Sequence, residues 1–403
     1  MNGGAVHVPA LIIFLTTYLI IVIQKIPRLH LSRAAGALVG AVAMGIFGVL
    51  TLPEIYAAID LDTIAFLLGM MILIGYLEAA GFFAVVERLV LSRAKSGASL
   101  LALVVASSGG LASIFMNDTI CLMLTPVILR IAARLRVAPV PYLLAMVTAS
   151  NIGSVMTLVG NPQNMLIGIR SKIPFPEFLG AMWPAALGGL LVDFAVIWWV
   201  YRRSLGWRAT QPASDEPAII RLPLVLSMLV MAAFFGLLMA GYPPQAVAMA
   251  LGALVILLES HRPTPLLLQV DWTLLVLFAG LFVVMHGVER AGVIDPIIRP
   301  LGGAGPAGIM AVTVLVSNLV SNVPAVLLLS PVLVAAGSTK QGWLTLAMSS
   351  TLAGNLTVIG SAANLIVFEM ARRAGITIGV ADYLKIGVPI TLMTLAFGAW
   401  VLW

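Results

Sequence analysis

Asp118 is the residue of this chain with most chemistry to offer. It sits in Met116-Asn117-Asp118-Thr119, between two apolar arms at about 99–115 and 120–133. A carboxylate carried to the centre of a bilayer costs ~2.5–3.5 kcal/mol on insertion scales, and such a group usually serves a proton, a cation or a substrate path. The plainer role is to cap an arm, since Asp is a favoured N-cap. Asn117 stands beside it, and Asn322 holds the matching place in a second two-armed unit, 305–336, with Ser321-Asn322 at its tip. An amide donates to an oxyanion, accepts from a hydroxyl or turns its carbonyl to a cation. A helix starting at each tip adds a positive dipole end. Asn117 is followed nine residues later by Pro126, and Asn322 by Pro331 at the same interval. The counterpart of Asp118 is Val323, so symmetry does not require the acid.

Two further polar stretches interrupt apolar segments. In 141–169 the run stops at Gly160-Asn161-Pro162-Gln163-Asn164. In 343–370 it stops at Gly360-Ser361-Ala362-Ala363-Asn364. Proline lacks an N–H and clashes with the preceding turn. Backbone groups freed in hydrocarbon survive only inside protein or beside a water-filled cavity, so a helix broken at the midplane is a candidate ion or substrate site. The first broken helix offers Ser150, Asn151, Ser154, Thr157, Asn161 and Asn164. The second offers Ser350, Thr351, Asn355, Thr357, Ser361 and Asn364. Thr157, Gly160 and Asn164 meet Thr357, Gly360 and Asn364 at an offset of 200. Small and amide residues also hold membrane helices together. The expected site is therefore Asn117, Asp118, Thr119, Ser150, Asn151, Thr157, Gly160, Asn161, Asn164, Ser321, Asn322, Thr357, Gly360, Ser361 and Asn364.

Other candidates carry less. Asp193 lies in the middle of an apolar segment, as a second proton site or as a partner for an interfacial group. Cys121 is the one cysteine; a single thiol makes no disulfide framework or multi-thiolate site, and reads as a small core residue. No G-x-x-x-x-G-K-[ST] run binds ATP here, so energy comes from a gradient or a separate subunit.

The elements that position these residues follow from composition. Of 403 residues, 61% are hydrophobic and 9% charged, against about 25% charged in soluble domains. The chain is a polytopic membrane protein in a lipid bilayer, with no soluble domain. Its net charge of +6 reports loop orientation, and not nucleic-acid binding. Apolar spans fall at about 8–24, 34–50, 63–80 and 178–201, with an amphipathic piece at 82–91. They recur at 222–239, 244–258, 271–288 and 383–403. At an offset of 211, Asp60, Gly69, Glu78, Ala80 and Gly81 meet Asp271, Gly280, Glu289, Ala291 and Gly292. The expected fold is all-α, with two repeats, 1–208 and 209–403. Each has five crossing helices, one of them broken, plus one re-entrant hairpin. Five is odd, so the repeats are inverted, the plan of many secondary transporters. Seventeen Lys and Arg fall in loops on one side: Lys25, Arg28, Arg33, Arg88, Arg93, Lys95, Arg130, Arg134, Arg136, Arg202, Arg203, Arg208, Arg221, Arg262, Arg372, Arg373 and Lys385. Five fall on the other: Arg170, Lys172, Arg290, Arg299 and Lys340. The first side is cytoplasmic by the positive-inside rule, which puts both termini outside.

At these residues the chain resembles the ion-transporter superfamily over nearly its whole length. The Phe115-Met116-Asn117-Asp118 tip, Leu124-Thr125-Pro126, Arg290-Ala291-Gly292 and Asn322-Val323-Pro324 are similar to the arsenite/antimonite permeases. Residues 160–164 also resemble less-studied anion permeases. The divalent-anion/sodium symporters carry Ser-Asn-Thr at both tips, a pattern from which Ser321-Asn322-Val323 and Met116-Asn117-Asp118 depart. The resemblance implies a transport region of hairpins and broken helices moving against a scaffold, as a homodimer in a bacterial-type inner membrane. It implies no enzyme activity and no cofactor. The expected activity is proton-coupled efflux of arsenite or antimonite, a small inorganic oxyanion or its neutral acid, with Asp118 as coupling acid. The alternatives are sodium-coupled uptake of a carboxylate or inorganic anion, or sodium/proton antiport. A cytoplasmic ATPase subunit is a possible partner.

Overall fold

The computed structural model describes residues 8–23, 32–206, 222–258, 264–268, 270–293, 305–335, 337 and 339–403. The expected repeat boundary at 208/209, the hairpin end at 336 and the loop cations Lys25, Arg28, Arg208, Arg221, Arg262 and Arg299 lie outside these residues. The described chain is helical and carries no strand. Its first part holds α1 (Val8–Ile23), α2 (Arg33–Ile46), α3 (Leu52–Ala58), α4 (Leu61–Ala79), α5 (Phe82–Arg93), α6 (Gly97–Ile114), α7 (Asn117–Leu135), α8 (Val140–Ser154), α9 (Pro162–Ser171) and α10 (Phe175–Tyr201). The second holds α11 (Leu222–Met239), α12 (Pro244–Leu258), α13 (Thr264–Leu268), α14 (Trp272–Arg290), α15 (Pro306–Val320), α16 (Asn322–Ala335), α17 (Lys340–Leu352), α18 (Ala362–Arg373) and α19 (Val380–Leu402). Among the described residues, six helices are long and apolar enough to cross a membrane: α4, α6, α10, α11, α14 and α19. Leu191 and Trp199 on α10, Leu229 on α11 and Trp400 on α19 are large apolar side chains left exposed, as lipid contact requires.

The residues aligned at an offset of 211 do the same work twice. Asp60 caps α4 by accepting from Thr63 N at 3.0 Å, and Asp271 caps α14 by accepting from Leu274 N at 3.0 Å. Both helices end before a left-handed glycine, Gly81 at φ 87° and Gly292 at φ 65°, where a Cβ would be strained. The helices pack crosswise, α4 on α12 and α2 on α14. A Cβ on Gly69 would lie 2.5 Å from the Ala248 backbone, and one on Gly280 would lie 2.7 Å from the Ala37 backbone. Ala37 and Ala248 are themselves 211 apart.

The hairpins differ from expectation at the first tip. The polar junction was expected over 116–119, but α7 already begins at Asn117. Phe115 and Met116 alone turn the chain, with Met116 as the N-cap. Asp118 is thus a first-turn residue and does not cap its own arm. The arm before it is also longer than expected. A Ser96/Ser99 capping box starts α6 at Gly97, with Ser99 N donating to Ser96 Oγ at 3.2 Å and Ser96 N donating to Ser99 Oγ at 2.8 Å. In both second arms the residue before the proline bonds back one turn. Thr125 Oγ1 donates to the Cys121 carbonyl and Ser330 Oγ to the Val326 carbonyl.

The first break also shifts. Residues 155–161 form it, and Pro162 starts α9 instead of interrupting it. Proline is at home in a helix's first turn, where its missing N–H has no helical partner to lose. Asn161 caps that turn, accepting from Asn164 N at 2.8 Å. The second break comprises two short 3₁₀ turns, Ala353–Asn355 and Val358–Gly360. Two short helices, α3 and α13, were not anticipated. For α3 the signal is legible in Thr51-Leu52-Pro53-Glu54, where Glu54 accepts from Thr51 N at 2.8 Å, the return half of a capping box. The amphipathic α5 buries Phe83, Val90 and Leu91, and its Glu87 holds Arg130 of α7 at 2.7 Å.

Candidate functional site

The two broken helices meet at Asn151. Its carbonyl oxygen accepts from Asn117 Nδ2 at 2.9 Å and from Ser361 Oγ at 3.2 Å. Its amide nitrogen donates to Asn355 Oδ1 at 2.8 Å and to Asn364 Oδ1 at 3.1 Å. Two donors and two lone pairs are the full capacity of an amide, and all four are used. One side chain thereby ties the first hairpin tip to the second break. The tip is held by backbone as well, since Asn117 N donates to the Gly160 carbonyl at 2.9 Å and Ser150 Oγ to the Asn117 carbonyl at 3.2 Å.

Each break is closed by its own asparagine in the same way. Asn164 Nδ2 donates to the Ser154 and Thr157 carbonyls at 3.1 and 3.0 Å. Asn364 Nδ2 donates to the Gly354 and Thr357 carbonyls at 2.8 and 3.0 Å. These are the backbone acceptors that an interrupted helix leaves without partners, and burying them unpaired costs ~1–3 kcal/mol each. The threonines then fasten the breaks to the hairpins. Thr157 Oγ1 donates to the Ser113 carbonyl at 2.6 Å, and Thr357 Oγ1 to Asn318 Oδ1 at 2.9 Å. Asn161 Nδ2 reaches Thr351 Oγ1 at 3.2 Å, the counterpart at an offset of 200 of the Ser361–Asn151 bond. Gly160 leaves no room for a side chain, because a Cβ there would lie 2.4 Å from the Ser154 carbonyl oxygen.

Two cavities open against this core. One, of about 660 Å³, is lined by Asn117, Asp118, Gln163, Asn318, Ser321, Asn322 and Ser361, with Arg372 and Arg373 farther along its wall. The other, of about 640 Å³, is lined by Asp118, Thr119, Glu78 and Asp271. Asp118, Arg33 and Glu369 border both, so Asp118 stands in the wall between the two spaces, half-buried. Its carboxylate faces the Ala363 backbone N–H and lies within electrostatic reach of Arg33. Ala363 is in the first turn of α18, where free N–H groups and the helix dipole favour negative charge. The acid of the first hairpin therefore lies against the N-terminus of α18, the helix that follows the second break. At the opposite tip Ser321 is held at φ 76°, a backbone region that costs a non-glycine residue energy.

The expected site residues thus divide into two groups. Asn117, Asp118, Thr119, Ser321, Asn322 and Ser361 line cavity space. Ser150, Asn151, Thr157, Gly160, Asn161, Asn164, Thr357, Gly360 and Asn364 border neither cavity and form the hydrogen-bonded core behind it. Gln163 and Asn318 are cavity residues outside the expected site. Their signals were present: Gln163 lies in the first turn after Pro162, and Asn318 is one turn before Asn322. Arg33, expected as a loop cation, is the first residue of α2 and part of the cavity wall. The amides and hydroxyls of this wall, with the half-buried Asp118 carboxylate among them, can grip a small hydroxylated molecule by donors and acceptors and hold a proton next to it.

The citrate transporter family model, CitMHS, matches residues 18–353. This chain belongs to the CitMHS citrate transporter family. Other transporters are similar to this chain along nearly its full length. The silicon efflux transporter LSI3 of Oryza sativa subsp. japonica is 31% identical, over 94% of each chain. The putative transporter arsB of Dictyostelium discoideum is 25% identical, over 92% of this chain and 87% of its own. Among solved structures, the YdaH transporter of Alcanivorax borkumensis superposes with a TM-score of 0.58 at 14% identity, over 98% of this chain and 97% of that one. That likeness establishes the fold. The CitMHS protein is a multi-pass membrane transporter.

Proposed function

We propose that the protein exports arsenite or antimonite, as the neutral hydroxy acid, in exchange for protons by alternating access. The observation that carries this reading is the place of Asp118, in the wall between two cavities and on the N-terminus of α18. A carboxylate there meets water from either space, and neutralising it weakens its hold on the helix dipole. Proton binding and movement of α18 are thereby linked. Asn117, Asn322, Gln163 and Ser361 offer the cargo uncharged donors and acceptors. A fixed acid beside them repels a dianion and tolerates arsenous acid. The efflux and arsB names of two relatives are in keeping with export. The crosswise packing of α4 on α12 and α2 on α14 supports two inverted repeats forming a scaffold. One charge crossing about 100 mV is worth ~2.3 kcal/mol, enough to drive such exchange.

A second reading is sodium-coupled uptake of a carboxylate. It is favoured by the family's description and by Arg372 and Arg373 on the wall of the larger cavity. Everted membrane vesicles separate the two. Export predicts arsenite accumulation driven by an imposed proton gradient and lost in Asp118→Asn. Sodium-dependent citrate or succinate uptake into right-side-out vesicles, with no arsenite flux in either orientation, overturns it.

A further inference from the structure

Asp193, the second buried acid of the sequence, borders neither cavity. It is on α10, fully buried, and neither carboxylate oxygen has a hydrogen-bond partner. An ionised carboxylate in such a place is costly unless it is paired with a cation. The helices packed against α10 supply none beside it. α6 and α11 contain no titratable side chain. α8 contains only Tyr142, turned to the Gly97 carbonyl. α17 contains only Lys340 at its first residue, engaged by Glu177 from the start of α10. On α19, Asp382 and Lys385 pair with each other at 3.0 Å, and Tyr383, within electrostatic reach of Asp193, is a neutral phenol.

The hydroxyl alongside Asp193 is Thr148 on α8. Thr148 Oγ1 bonds back to the Leu144 carbonyl at 2.8 Å, and a hydroxyl engaged in that way supplies no cation to Asp193. A carboxylate in this place is left without a compensating charge, whereas a carboxylic acid carries none. Thr148 is also joined to the centre of the molecule. Its carbonyl accepts from Asn355 Nδ2 at 3.1 Å, and Asn355 Oδ1 accepts from Asn151.

The same slot in the other half needs no acid. Pro184 of α10 and Pro389 of α19 stand 205 apart, which aligns Asp193 with Gly398. Thr148 aligns with Met348 at the offset of 200 that relates the broken helices. Gly398 and Met348 touch, and a Cβ on Gly398 would lie 2.2 Å from Met348 Sδ. An apolar pair therefore closes this contact once, and the polar pair is not a demand of the fold.

We propose that Asp193 is a second proton-binding site of this transporter, occupied in the conformation described here and joined through Thr148 and Asn355 to the amide junction at Asn151. The proton leaves when α8 moves against α10 and water reaches the carboxyl. Infrared spectroscopy of the purified protein in lipid, at near-neutral pH and without cargo, tests this. The expected spectrum contains a carboxylic-acid C=O band that Asp193→Asn removes. Asp193→Glu displaces the band without removing it, and it serves as the readout if the asparagine variant does not fold. Absence of such a band in the wild-type protein overturns the proposal, as does a band unchanged in both variants. Because no cargo is present, the result is independent of whether arsenite is carried.

Discussion

Two glycines at the breaks hold corresponding positions under unequal pressure. A Cβ on Gly160 would lie 2.4 Å from the Ser154 carbonyl oxygen and 2.9 Å from that of Ala112. On Gly360 the nearest atoms, Asn318 Oδ1, the Gly354 carbonyl oxygen and Thr357 Oγ1, lie at 3.0 to 3.2 Å. Backbone cannot withdraw without moving a helix, whereas side-chain ends can. Gly160→Ala is therefore expected to destabilise by ~1–3 kcal/mol, in the range of overpacked sites, and Gly360→Ala by clearly less. Thermal unfolding of the two purified variants measures the difference, and equal losses would remove the argument. The acids show a like asymmetry. Asp118 aligns with Val323 and Asp193 with Gly398, so both ionisable groups lie in the first half, where the repeat departs from itself.

At the scale of elements, the hairpins carry the sharpest test of the inverted plan. Arg134 lies near the end of α7, and Gly337 just beyond α16, so both follow the second arm of a hairpin. Inversion puts them on opposite sides of the membrane. Cys121 is buried, so Cys121→Ser provides a quiet background. Arg134→Cys is expected to react with a membrane-impermeant thiol reagent only from the cytoplasmic side, and Gly337→Cys only from outside. Labelling of both from one face would rule the plan out. Element ends also explain the shifted boundaries. Pro162 reads as a breaker in a linear pattern, yet Asn161 caps the turn it starts. Asp118 reads as a cap for its own arm, yet its carboxylate meets the N–H of Ala363, a helix away in space and far off in sequence.

For the whole molecule, two close backbone crossings matter most, Gly69 against Ala248 and Gly280 against Ala37. Both lie between elements from different halves, so they set how the halves sit together. Gly69→Leu and Gly280→Leu are each expected to lower the melting temperature markedly, with overpacking of at least ~1–3 kcal/mol; tolerance of both would show that these crossings are not needed. The membrane character, the hairpins, the two breaks and the glycine pairs 211 apart were all legible in the chain. They rest on local chemistry: apolar length, the missing N–H of proline, and glycines recurring at a fixed offset. The division between cavity wall and hydrogen-bonded core was not legible. An asparagine in a broken helix looks the same whether it faces cargo or closes a carbonyl. Its partner comes from another element, often from the other half. Asn151 joins residues 34, 204, 210 and 213 positions away, and only the packing of the two halves brings them within reach.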